Sequence, residues 1–134
     1  MKVLFVCVGN SARSQMAEGF FNYLSKAGSK AMSAGTLPAS SVSSKAVKAM
    51  AEIGIDISSF KPKALTLEMV EEADRIITMG CNVEESCPAF LLKDKTKIED
   101  WGLDDPVGME IDDVKGVRDE IRRRIKLLLS EIEG

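Results

Sequence analysis

Hydrophobic and polar positions follow two alternating periods along this chain. Lys2 to Val6 is a short β-branched and aromatic run with few polar members, the pattern of a central parallel strand buried on both faces. From Ser14 the apolar positions Met16, Ala17, Phe20, Leu24 and Ala27 fall at helical spacing, and Gly28 stands where a helix stop is expected. Residues 29–34 are a weaker strand candidate ending at Gly35. The serine-rich stretch from Thr36 to Ser44, broken by Pro38, is short enough to be a loop instead of a linker. Ala46, Val47, Met50 and Ile53 mark a second helix stopped by Gly54. Thr66 is placed to cap a short third helix running to about Ala73, and Arg75 to Met79 is a further buried strand ended by Gly80.

The segment from Cys81 to Asp94 has no clear periodicity and contains Pro88, which predicts a mobile loop. A strand near Lys97 to Glu99 follows, then Trp-Gly-Leu-Asp-Asp-Pro-Val-Gly at 101–108, whose glycines and proline demand irregular backbone. Ile111, Val114, Val117, Ile121, Ile125, Leu128 and Ile132 repeat at threes and fours, predicting a long amphipathic C-terminal helix. Strands alternating with helices imply one three-layer α/β/α domain over residues 1–134 with a mostly parallel sheet. In such sheets ligands bind beyond the carboxyl ends of the strands. Cys7, the loop after Met79 and the Asp-Asp-Pro loop are therefore expected at one rim.

Composition narrows the function classes. At 134 residues, 45% hydrophobic and 29% charged, the chain has the make-up of a globular domain that folds without a disulfide or metal staple. A net charge of −3 argues against an extended basic surface for nucleic acid, so an anionic ligand must be held by local dipoles and a few placed cations. The short apolar start runs into Asn10, Arg13 and Gln15, which fits neither a signal-peptide core nor a membrane span and predicts a cytoplasmic protein. Three cysteines in a reducing compartment point to chemistry. A zinc site would need an Asp or Glu ligand, since there is no His, and Cys-x2-Cys spacing is absent; no metal and no cofactor are expected.

Cys7-Val8-Gly9-Asn10-Ser11-Ala12-Arg13-Ser14 lies between a strand and a helix. Backbone N–H groups of residues 8–14 and the helix N-terminus can there converge on one concavity that stabilises an anion, with Gly9 supplying backbone freedom. Arg13 offers a planar fork matching two oxygens of a tetrahedral oxyanion. The same positive environment favours the thiolate form of Cys7, a nucleophile. A buried Cys beside a surface Arg would explain either residue alone, but not the spacing in this strand-loop-helix setting. Asp105, held by Pro106, is the natural general acid for a departing oxygen; Asp-Pro is also a common turn former, and Asp104 is the near alternative. Cys81 and Cys87 are either incidental thiols or a route for moving oxidation away from Cys7.

Cys7 to Ser14 followed by Gln15-Met16-Ala17-Glu18-Gly19, with Ser33-Ala34-Gly35-Thr36, Gly54-Ile55-Asp56 and Asp105-Pro106, resembles the low-molecular-weight protein tyrosine phosphatase superfamily over nearly the whole chain. The resemblance implies a four-stranded parallel sheet flanked by helices. Within it, Arg13 to Gly19 and Trp101 to Gly108 resemble the thioredoxin-coupled arsenate reductases more than the phosphatases, which usually carry Arg-Ser-Pro after the loop and aromatics after Asp-Pro, where Val107 and Gly108 stand here. By that resemblance Cys7 forms a covalent arsenic adduct, Cys81 attacks it as a Cys7–Cys81 disulfide forms, and Cys87 resolves this to Cys81–Cys87. Thioredoxin or a similar dithiol would reduce the last bridge. The family's reductases space the second and third cysteines by one residue more than the five found here, so this loop must unwind differently. Some of them build a monovalent-cation site; Asn10, Glu18 and Ser33 match it, while Lys63 stands where its Asp is expected.

Arsenate reduction is the leading expectation. A low-molecular-weight phosphatase cleaving phosphate monoesters through a Cys7 phosphocysteine is the alternative, for which Cys7, Arg13 and Asp105 suffice. A non-catalytic anion-binding module on the same fold makes no use of the nucleophile and acid.

Overall fold

The computed structural model describes residues 1–80, 97–106 and 108–133. Strand β1 (Lys2–Cys7) pairs in parallel with β2 (Lys30–Gly35) on one side and β3 (Arg75–Thr78) on the other, and β4 (Ile98–Asp100) extends the sheet beyond β3. The order is β2-β1-β3-β4, all parallel, as expected for strands joined by helical crossovers.

The two-residue period of β1 divides the core. Val3, Phe5 and Cys7 face helices α1 (Arg13–Leu24), α2 (Ser44–Glu52) and α4 (Ile111–Glu133), packing with Phe20, Phe21, Met50, Ile121 and Ile125. Leu4 and Val6 face the other way, onto Val70 and Ala73 at the short helix α3 (Leu67–Glu72). Trp101, buried just after β4, closes the first core with its ring 5.8 Å from that of Phe5 and under the Arg124 guanidinium. Arg118 and Lys115 of α4 meet Glu52 at the end of α2, and Lys115 first, then Arg118, holds that carboxyl below the usual glutamate range. Among the described residues no helix is long and apolar enough to cross a membrane.

The cap predicted at Thr66 is present, and Ser43 plays the same part at α2. Ser43 and Thr66 accept N–H bonds from Ala46 and Met69 at the starts of α2 and α3. Helix α1 ends sooner than its apolar series suggests, at Leu24 instead of Ala27. The cause is tertiary: the Glu133 carboxylate, from the far end of α4, accepts the N–H groups of Lys26 and Ala27 and meets the Ser25 hydroxyl. These bonds satisfy the backbone outside the helix and leave Ala27 exposed.

Candidate active site

Cys7 ends β1 at the carboxyl rim of the sheet, and the next five residues turn back into α1. Gly9 is not where the turn needs its freedom, contrary to the sequence expectation. Asn10 is, with φ of +49°, in the left-handed region that Asn tolerates better than most residues. Close packing against β2 falls on Gly35, where a Cβ would come within 2.6 Å of the Val8 carbonyl oxygen. Ala12 occupies the cap position of α1, no side chain caps that helix, and its first turn carries no acidic residue, so its positive end is left to the loop.

A buried polar chain fixes the loop from behind. Asn10 Nδ2 donates to Ser14 Oγ at 2.7 Å and to Ser33 Oγ at 3.0 Å, while its Oδ1 accepts from Gln15 Nε2 at 3.0 Å and from the Lys63 N–H at 2.8 Å. Ser14 Oγ, which accepts from Asn10, shares a further hydrogen bond with Cys7 Sγ at 2.8 Å, and its hydroxyl is the donor when the sulfur is a thiolate. The Asn10 N–H also points at that sulfur, at 3.1 Å. A thiolate at this position would accept both bonds.

Ser33 Oγ continues the chain to Glu18 Oε1 at 2.9 Å, and the Lys63 ammonium stands 3.6 Å from the same oxygen. The residues that resemble a cation site therefore do gather, with the Lys63 ammonium as the cation Glu18 meets. Among the described residues no buried side-chain nitrogen or oxygen lacks a partner, and none of their acidic, Cys or His groups cluster to hold a metal ion.

Arg13 forms the opposite wall and is 6% exposed. Its Nη1 donates to the carbonyls of Met79 and, at 3.2 Å, Leu103, while Nη2 lies 3.7 Å from Asp105 Oδ2. One guanidinium thus joins the nucleophile loop, the end of β3 and the acid loop. Together Cys7, Val8, Gly9, Ser11, Ala12, Arg13, Ala39 and Asp105 enclose a cavity of about 200 Å³. Asn10 and Ser14, predicted among the oxyanion-binding residues, are fully buried behind it as supports of the loop. Cys81 and Cys87 lie outside the described residues, as does Val107. Sequence reasoning passed over two members: Ala39, on a loop without periodicity, and Gln15, whose signal was a polar side chain on the buried stripe of α1.

A family model described as low molecular weight phosphotyrosine protein phosphatase matches residues 2–134. Arsenate reductase 1 of Staphylococcus haemolyticus (strain JCSC1435) is 38% identical over 124 residues, covering 92% of this chain and 91% of that relative. The crystal structure of the low molecular weight protein tyrosine phosphatase from T. tengcongensis superposes with a TM-score of 0.89 at 34% identity, covering 98% of this chain and 99% of that one. The thioredoxin-dependent arsenate reductase of Corynebacterium glutamicum superposes with a TM-score of 0.79 at 33% identity, over 98% of this chain and 61% of that one.

Proposed function

The chain belongs to the low molecular weight phosphotyrosine protein phosphatase family, and on that premise we propose that it is an arsenate reductase with Cys7 as its nucleophile. The observation that carries the reading is the cavity: about 200 Å³, with the Cys7 sulfur and the Arg13 fork in its walls and no aromatic side chain among the described residues that line it. Its size suits a small inorganic oxyanion, and none of the described residues lining it offers a ring on which a phenyl group could stack.

The Cys7 thiolate attacks arsenic(V) while Arg13 and the loop N–H groups hold the remaining oxygens. The departing oxygen takes a proton from Asp105 and leaves as water. The Cys81 thiolate then attacks Cys7 Sγ. A sulfur–sulfur bond forms, the sulfur–arsenic bond breaks with its electron pair left on arsenic, and arsenite departs as arsenic(III). Cys87 attacks Cys81 and frees Cys7, and a dithiol such as thioredoxin reduces the Cys81–Cys87 bridge. The similarity to a thioredoxin-dependent reductase supports this donor, and a cytoplasmic setting would keep the three thiols reduced.

The second reading, a phosphatase acting on a phosphate monoester, is favoured by Asp105 standing beside Arg13 at the cavity, since Cys7, Arg13 and Asp105 complete hydrolysis without further thiols. Arsenite formation from arsenate with thioredoxin as reductant, measured beside hydrolysis of an aryl phosphate, decides between them. Catalytic arsenite production is expected. Hydrolysis without arsenite moves the assignment to the phosphatase, and oxyanion binding with neither reaction moves it to a binding module.

A further inference from the structure

Helix α2 begins beside both loops of the cavity. Just ahead of it the Ser43 N–H donates to the Ser11 carbonyl at 2.7 Å, on the nucleophile loop. Two residues on, the Lys45 ammonium donates to the Met109 carbonyl, beyond the Asp-Pro pair. Lys45 stands in the first turn of α2, where the positive end of a helix disfavours a cation and no acidic residue offsets it. The helix itself gives no reason for a lysine there, and the Met109 carbonyl supplies one.

The helix that carries Lys45 is firmly held. Arg118 Nη1 donates to the Ala49 carbonyl at 2.8 Å and to Glu52 at 3.0 Å, and Ala46, Ala49 and Met50 are fully buried. On the receiving side the Met109 N–H donates to the Pro106 carbonyl at 3.0 Å, so a bond that fixes Met109 also steadies the proline that follows Asp105. The Asp105 side chain is 56% exposed, and its ion pair with Arg13 spans 3.7 Å to a guanidinium that a bound oxyanion would also engage. A fixed backbone is what keeps such a carboxyl in place during binding.

We propose that Lys45 is a positioning residue for the general acid, its bond to the Met109 carbonyl holding the Asp-Pro loop so that Asp105 stays at the cavity lined by Cys7. The inference rests on the acid role proposed for Asp105, whichever of the two reactions follows. A general acid works over a heavy-atom distance of about 2.6–3.2 Å, and a misplacement of about 1 Å costs on the order of 10²-fold in rate. Because this bond lies on the acid side of the cavity, its loss falls on proton delivery and spares oxyanion binding.

The test uses Lys45→Met, which keeps the stem and removes the ammonium, and Lys45→Arg, which restores a cationic donor. We would measure kcat/KM for aryl phosphates with acidic and basic leaving groups, and for arsenate with thioredoxin, in the wild-type and Asp105→Asn backgrounds. Lys45→Met is expected to lose about tenfold on arsenate and on basic leaving groups, to stay within about twofold on acidic ones, and to be largely rescued by Lys45→Arg. Added to Asp105→Asn, it should cost less than about twofold more, since two changes acting through one group do not add. Inhibition by phosphate should stay within about twofold of wild type, which a general loosening of the pocket would not allow.

Equal losses for acidic and basic leaving groups overturn the inference, as does a Lys45→Met loss that multiplies in full onto Asp105→Asn, or wild-type kinetics in Lys45→Met throughout. If the wild-type protein hydrolyses no aryl phosphate, the double-variant comparison on arsenate decides alone. Lys45→Gln, shorter and neutral, carries the same comparisons if Lys45→Met folds poorly. The acid reading fails separately: Asp105→Asn slowing all leaving groups equally refutes it before Lys45 is altered.

Discussion

Replacing Arg13 by Lys tests the clamp most directly, because the charge is kept and only the fork is lost. Arg13 Nη1 already serves two backbone carbonyls, those of Met79 and Leu103, while the rest of the guanidinium lines the cavity beside Asp105. A single ammonium on a shorter stem cannot do both. Turned toward the carbonyls, it takes two charge-assisted hydrogen bonds from the bound oxyanion, a loss of about 3–4 kcal/mol in the transition state and roughly 10²- to 10³-fold in kcat/KM. Turned toward the cavity, it strips donors from two carbonyls, one of them on the fully buried Met79, at about 1–3 kcal/mol each. That cost would be read as a fall in thermal midpoint of about 5 °C or more for a domain of this size. The assay is kcat/KM for arsenate and for an aryl phosphate, with a thermal melt of each protein. Arg13→Lys within tenfold of wild type in both reactions, at an unchanged midpoint, would show that Arg13 is neither clamp nor brace.

Asp105→Asn should slow hydrolysis of aryl phosphates with basic leaving groups more than those with acidic ones, and equal slowing across a leaving-group series would move the acid role, with Asp104 next to examine. Cys87→Ser is expected to release about one arsenite per protein and stall as a Cys7–Cys81 disulfide seen by peptide mapping; repeated turnover with thioredoxin as sole reductant would refute the three-cysteine relay. The Glu133 carboxyl is held below its ordinary range by the Lys26 N–H first, then the Ala27 N–H and the Ser25 hydroxyl. Its stabilising contribution is present above the unfolded value of about 4.3 and is lost as pH falls through the lower folded value. Melts of Glu133→Gln and wild type should therefore differ near neutrality and converge in acid, and a difference that persists at the acid end would contradict the assignment. Gly80→Ala, forced to φ of +96° against the Leu103 carbonyl, should lose about 1–3 kcal/mol in denaturant titration and fall in both activities as Arg13 shifts; wild-type stability would mean the Leu103 carbonyl moves aside freely.

What could be read from the chain alone was what repeats or what is spaced. The alternation in Lys2 to Val6, the threes and fours from Ile111 to Ile132, and the stops at Gly54 and Gly80 report local geometry, and the elements stand where those signals put them. Cys7 and Arg13 were legible because their spacing has meaning only at a strand-loop-helix junction. Features set by distant partners were not legible. The early end of α1 depends on Glu133, more than a hundred residues away in sequence. The need for glycine at 35 depends on the approach of Val8, and the strain assigned to Gly9 falls on Asn10, whose buried amide is satisfied by four groups from three segments. The hydrogen bond from the Gly80 N–H to Asp100 Oδ1 crosses from the end of β3 to β4, and nothing in either strand's own pattern announces it.

Hydrolysis and reduction share everything up to the covalent adduct at Cys7, so the size of the cavity bears on which substrate enters and not on the fate of that adduct. A phosphocysteine is discharged by water, whereas a thiol–arsenic(V) adduct is discharged reductively only when a second sulfur reaches the first. On the proposed relay, that choice falls to the chain that leaves β3. Its last described residues are tied to the sheet by Val6, to the clamp by Arg13 and to the edge strand by Asp100. Arg13 also touches Leu103 and Asp105, so the group proposed to bind the oxyanion braces both the end of β3 and the Asp-Pro loop. A buried cation with two carbonyls and a carboxylate around it is well compensated before any ligand arrives. That compensation is why the fork can wait, preorganised, for an anion that the chain's net charge of −3 does nothing to attract.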